Sequence, residues 1–131
     1  SQTQEKRMQK LHVESPDERL LNRVMKVIND NMANPDLSVD MLAKKVGISR
    51  VHLYRKLKEL TNQSASDLIR NVRLKQAAAL LAAKRQSINE VATRTGFANV
   101  NYFSTAFKEL YGLTPTAYME QCLKASDDRK Q

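Results

Sequence analysis

Tryptophan is absent from this 131-residue chain, which holds only three glycines, three prolines and one cysteine. So little glycine and aromatic content argues against a β-rich or a disordered chain. The lone cysteine, Cys122, cannot form an internal disulfide, which suits a reducing cytosol. It stands at the apolar end of a short helical pattern and reads as a small packed residue. No apolar run approaches the roughly 20 residues needed to cross a bilayer, and no signal-peptide pattern opens the chain, so a cytoplasmic location is expected. The two histidines, His12 and His52, have no second ligand at metal spacing, so no metal site is expected. Neither a glycine-rich phosphate loop nor a Ser-His-Asp arrangement nor paired carboxylates can be found. Catalytic residues and cofactors are therefore not expected. Acidic residues are also in deficit: fourteen Asp and Glu face twenty-two Lys and Arg, leaving a net charge of +8 and a pI near 9.8. That balance favours nucleic acid or an anionic membrane surface as a partner.

What is present is helical punctuation. Residues 1–14 are polar with little apolar periodicity and read as a linker or tail, with His12 a solvated side chain. Ser15-Pro16-Asp17-Glu18 then combines a cap, a proline at the first helical position and a capping-box glutamate. Leu20, Leu21, Val24, Val27 and Ile28 follow at 3–4 spacing, up to Asn34-Pro35-Asp36. Ser38 caps a short helix to about Val46, and a third helix covers about 49–60. Ser64 with Asp67 opens a long fourth helix over about 65–83, Ser87 with Glu90 a fifth, Asn99 a sixth, and Thr114-Pro115 a seventh. Residues 124–131 read as a polar tail. Seven helices without a strand predict an all-α domain over 15–123.

Part of this pattern occurs twice. Gly47 follows Leu42-Ala43, and Gly96 follows Val91-Ala92; Leu53, Leu57 and Leu60 follow the first glycine, and Phe103, Phe107 and Leu110 the second. Lys58-Glu59-Leu60 returns as Lys108-Glu109-Leu110 at an offset of 50, whereas the glycines lie 49 apart. The second unit therefore carries one extra residue between turn and helix. Helix, glycine turn, helix is the layout of a helix-turn-helix, which places its second helix in the DNA major groove. The steep crossing needs a small residue in the first helix, a place filled by Ala43 and Ala92. Ile48 and Phe97 would plug each core. The units span about 38–60 and 87–110, each too small to bury a sizeable core alone. The long helix is expected to join two lobes rigidly.

On this layout the first recognition helix buries Leu53, Leu57 and Leu60 and exposes Arg50, Val51, His52, Tyr54, Arg55 and Lys58. Arg55 is the strongest base-contact candidate, because its planar fork can bond guanine O6 and N7 together. Lys58 suits a phosphate, and His52 a phosphate or base. In the second helix Tyr102, Phe103 and Phe107 read as core, while Asn99, Val100, Asn101, Ser104, Thr105 and Lys108 read as exposed. Asparagine can pair with adenine N6 and N7, and Val100 or the Thr105 methyl can meet a thymine methyl.

Residues 37–118 resemble the DNA-binding domain of the AraC/XylS family, two helix-turn-helix units joined by a long helix. The resemblance rests on Gly96-Phe97, Tyr102-Phe103, Phe107-Lys108, Gly112, Thr114-Pro115 and Tyr118 in the second unit. Gly47, Ser49, Leu53 and Arg55 carry it in the first, and Arg73-Leu74, Ala77 and Leu80-Leu81 in the linker helix. It implies base contacts from Arg50, Val51, Tyr54 and Arg55, and from Asn99, Val100, Asn101 and Thr105. Ser38, His52, Lys58, Ser104 and Lys108 fall to the DNA backbone. Some relatives place arginine where Thr105 stands, so a strong guanine contact from this helix is not implied. The run Leu21-Asn22-Arg23-Val24-Met25-Lys26-Val27-Ile28 and the Leu53–Lys58 segment are also similar to the output domain of Bacteroides-type hybrid two-component regulators. That similarity implies a receiver or sensor domain, and a kinase domain, elsewhere in a longer chain. It also implies double-stranded DNA and RNA polymerase as partners, with this fragment monomeric and the full regulator dimeric. The competing reading is a helical protein-interaction module without DNA readout, against which the exposed Arg/Lys/Tyr face speaks.

Overall fold

The computed structural model describes residues 13–130, and within them the chain forms seven helices and no strand. They are α1 (Pro16–Asp30), α2 (Val39–Val46), α3 (Arg50–Thr61), α4 (Ala65–Ala83), α5 (Ile88–Arg94), α6 (Val100–Tyr111) and α7 (Pro115–Lys130). Short polar side chains set the starts. Ser15, Ser38, Ser49, Ser64 and Ser87 each accept from the backbone N–H three residues on, at 3.1–3.2 Å. Each thereby satisfies a donor that a helix start leaves orphaned. The Ser87 hydroxyl also donates to the Glu90 carboxylate at 3.2 Å. Thr114 accepts from the Ala117 N–H.

Each turn is built as its sequence demands. Gly47 takes φ 86° and closes α2 by donating to the Ala43 carbonyl at 2.8 Å. Gly96 takes φ 81°, and the next N–H, from Phe97, reaches back to Ala92 at 2.9 Å. Both alanines are buried, which allows the close helix crossing. From Gly47 the chain needs two residues to reach Arg50; from Gly96 it needs three to reach Val100, so the extra residue lies in the second turn.

Two separate cores result. The first joins Val24 and Ile28 of α1 with Leu42, Val46, Leu53 and Leu57. The second joins Val91, Phe97, Phe103 and Phe107. Helix α4 serves both, giving Ala65, Leu68 and Ile69 to the first and Leu74, Ala77, Ala78 and Leu81 to the second. A helix that feeds two cores from different turns fixes the two lobes to one axis. Helix α7 packs along α4, with Tyr118 and Met119 against the second core.

Several expectations need correction. Tyr102, read as core, is 54% exposed, and Leu110 is exposed as well. Val100, read as exposed, is half-buried against the second core. Ser104, Leu60 and Ile48 are half-buried. Residues 124–130, read as a tail, continue α7. Residues 1–12, with His12, lie outside the described residues.

Candidate nucleic-acid interface

Helix α3 turns a continuous stripe to solvent. Val51, Tyr54, Arg55 and Lys58 are all exposed at i, i+3, i+4 and i+7 spacing, while Leu53 and Leu57 seal the opposite face. At an offset of 50 the same stripe on α6 is Asn101, Ser104, Thr105 and Lys108. Three of these four are exposed and Ser104 is half-buried. The duplicated fold therefore presents two stripes in matching register. The same offset pairs Tyr102 with His52, itself exposed. That correspondence was the signal in the sequence that Tyr102 faces outward.

The chemistry of the stripes differs. Arg50 opens α3 and pairs with Asp40 of α2 at 3.2 Å, both side chains well exposed. Such a pair is worth only about 0–1 kcal/mol, so Arg50 can exchange it for a DNA oxygen. Arg55 has no partner among the described residues. Lys56, in contrast, is held by Asp17 of α1 at 3.1 Å and by Glu59 at 3.7 Å. These carboxylates raise its pKa, Asp17 first. Lys56 is thus directed toward α1 and away from the stripe.

On α6, the Asn99 side-chain oxygen accepts from the N–H groups of Asn101 at 2.8 Å and Tyr102 at 3.1 Å. Both lone pairs are then used for capping, and Asn99 keeps only its amide N–H₂ for DNA. Asn101 retains both halves of its amide, as bidentate pairing with adenine requires. The Thr105 hydroxyl donates to the Asn101 carbonyl at 3.0 Å. Ser38 uses its oxygen to cap α2, leaving its hydroxyl proton free to reach a phosphate.

Arg70 of α4 lies beside α6. It pairs with Asp67 at 3.0 Å. The neighbouring Tyr102 hydroxyl is the leading influence that raises its pKa above the ordinary guanidinium value; burial opposes this, and Asp67 adds a smaller push. Among the described residues, no cluster of His, Cys, Asp or Glu could hold a metal ion, and no helix is long and apolar enough to cross a membrane.

Residues 42–121 match the family model described as a helix-turn-helix domain, across both units and the linker helix. The chain belongs to the AraC/XylS family of DNA-binding transcription regulators. This AraC-type domain is 32% identical to a DNA-binding transcriptional dual regulator from Escherichia coli K-12, with a TM-score of 0.75. That match covers 86% of this chain and 98% of the other. It is also 32% identical to the C-terminal domain of AraT, a response regulator from Geobacillus stearothermophilus, with a TM-score of 0.73 and coverage of 82% and 86%. Among curated relatives, Histidine kinase P4 of Formosa agariphila is 35% identical over 109 residues, 83% of this chain. The chain spans 8% of that relative's length.

Proposed function

We propose that this AraC-type domain is the output domain of a longer two-component regulator, and that α3 and α6 read successive major-groove segments on one face of double-stranded DNA. The observation that carries the groove reading is the pair of stripes in matching register, 51/54/55/58 and 101/104/105/108, exposed at every position but the half-buried Ser104. Arg50, Val51, Tyr54 and Arg55 face bases in the first segment. Asn101 and Thr105 lead in the second, with Asn99 as donor and the half-buried Val100 at the edge. Ser38, His52, Lys58, Ser104 and Lys108 position the backbone. The two-component assignment is supported by likeness to part of a histidine kinase and to the C-terminal domain of a response regulator. In this reading the receiver or sensor domain lies elsewhere in the same chain, RNA polymerase is the downstream partner, and the site of action is the cytoplasm. The isolated domain is a monomer and the full regulator a dimer.

The test is a salt series of DNA-binding titrations on a site selected from a random pool. Arg55→Ala is expected to cost about 1–3 kcal/mol on the selected site and to relax preference at one or two base pairs. Lys58→Ala is expected to weaken all sequences alike and to reduce the slope of log K against log salt by about one. Uniform loss from Arg55→Ala would move that residue to the backbone. An absence of DNA binding at low salt would sink the proposal in favour of a protein-interaction module.

A further inference from the structure

Between the two cores sits a polar junction belonging to neither. Arg73 lies on α4 directly between Val72, which is half-buried against the first core, and Leu74, the first α4 residue of the second. It is 6% exposed. Its Nη2 donates to the carbonyls of Asn31 at 3.2 Å and Asn34 at 2.5 Å, both in the segment after α1. Its Nη1 donates to the carbonyl of Gly96, in the second turn, at 3.3 Å. One side chain thus ties the linker helix, the first lobe and the second helix-turn-helix together.

The surroundings fit that role closely. Carbonyl oxygens alone receive the charge, and Asn31 is the C-cap of α1, where the helix dipole is negative. The Nε is buried and unpartnered, so the guanidinium is held by its two terminal nitrogens. A Cβ on Gly96 would lie 2.6 Å from Arg73 Cζ and 2.6 Å from the Met32 carbonyl. Glycine is therefore required at this turn for lobe contact as well as for its positive φ. Beside the junction a cleft of about 310 Å³ opens between Pro35 on one side and Phe97, Ala98 and Tyr102 on the other. Beside this cleft, the three hydrogen bonds of Arg73 span from one lobe to the other.

We infer that Arg73 is the positioning residue that sets the angle between α3 and α6, and through it the number of base pairs between the two segments read. This rests on the two-segment reading above. A buried guanidinium with no carboxylate is a poor choice for stability alone, since its desolvation is offset only by neutral acceptors. A planar fork reaching three carbonyls is a good choice for holding an orientation. Lysine would carry the charge as a single point and could not span all three.

Spin labels at Lys44→Cys on α2 and Asn89→Cys on α5, both exposed positions, report the lobe geometry without DNA in a Cys122→Ser background. With Arg73 present one narrow distance distribution is expected. Arg73→Lys, and Arg73→Met if it folds, should broaden it while hydrogen-exchange protection within each lobe persists. Gly96→Ala, whose Cβ would crowd both the guanidinium and the Met32 carbonyl with Arg73 itself intact, should do the same. On DNA, changing the spacing by one base pair should weaken the unaltered protein about tenfold, the scale of one mismatched pair. The Arg73 variants should lose most of that preference. An unchanged distance distribution, or a broadened one with spacing preference intact, would overturn the assignment. If the unaltered protein binds no DNA, the two-segment reading fails instead, and the label distances alone decide whether Arg73 clamps the lobes.

Discussion

Phe107→Ala is expected to destabilise the protein by about 3–5 kcal/mol, the usual cost of removing a buried phenylalanine. Phe107 is fully buried, with the rings of Tyr111, Tyr118 and Phe103 centred 4.7, 5.4 and 5.9 Å away. Truncation leaves a cavity and removes three aromatic contacts, one of them edge-on to Tyr118. A domain of this size has a total stability of only about 5–15 kcal/mol, so the loss is a large fraction. Because the first core shares no residue with the second, the loss should fall on the second lobe. Hydrogen-exchange protection around Leu53 and Leu57 should outlast that around Phe103. The measurement is urea unfolding against Leu110→Ala, an exposed control expected to stay within about 0.5 kcal/mol. Equal, small effects from both variants would contradict the packing described for α6.

Inserting five base pairs between the two DNA segments is expected to weaken binding by roughly thirtyfold to 10⁴-fold. Five base pairs rotate the second segment by about half a turn and move it about 17 Å along the axis. Helices α3 and α6 are both tied to α4 and cannot follow, so one lobe loses its base contacts. Two such contacts at about 1–3 kcal/mol each give that range. The stripe that stays bound should be that of α3, because Arg50, Arg55 and Lys58 outnumber the single Lys108 of its twin. Gel-shift titration of the paired sites measures this. Equal affinity for the two spacings would mean that only one unit reads DNA.

Much of this was legible in the sequence because the signals are local. A serine three residues before the N–H it accepts from can be read directly, and the caps at Ser15, Ser38, Ser64 and Ser87 lie where the pattern put them. The repeat disclosed both turns, and the extra residue before Val100, without reference to any contact. Stripe boundaries were less legible. Tyr102 stands beside Phe103 in sequence, but about 100° around the helix it leaves the core for Arg70 and solvent. The role of Arg73 was invisible because its partners lie 23, 39 and 42 residues away. Periodicity reports which face of a helix is buried; it says nothing of a polar group shared by two lobes. Residues 124–130 carry no apolar stripe, and their helix continues from the packed turns of α7, as propagation is far easier than nucleation.

The measurement that bears most directly on this account is a base-resolved footprint of the isolated domain on its selected site, with methylation interference in the major groove. Two protected major-groove segments about 10 base pairs apart, on one face of the duplex and without internal symmetry, are predicted for a single bound chain. Substituting Arg55 should erase interference in one segment and substituting Asn101 in the other. A palindromic footprint in which each chain protects only one segment, with Asn101→Ala leaving it unchanged, would contradict the claim that both units read DNA.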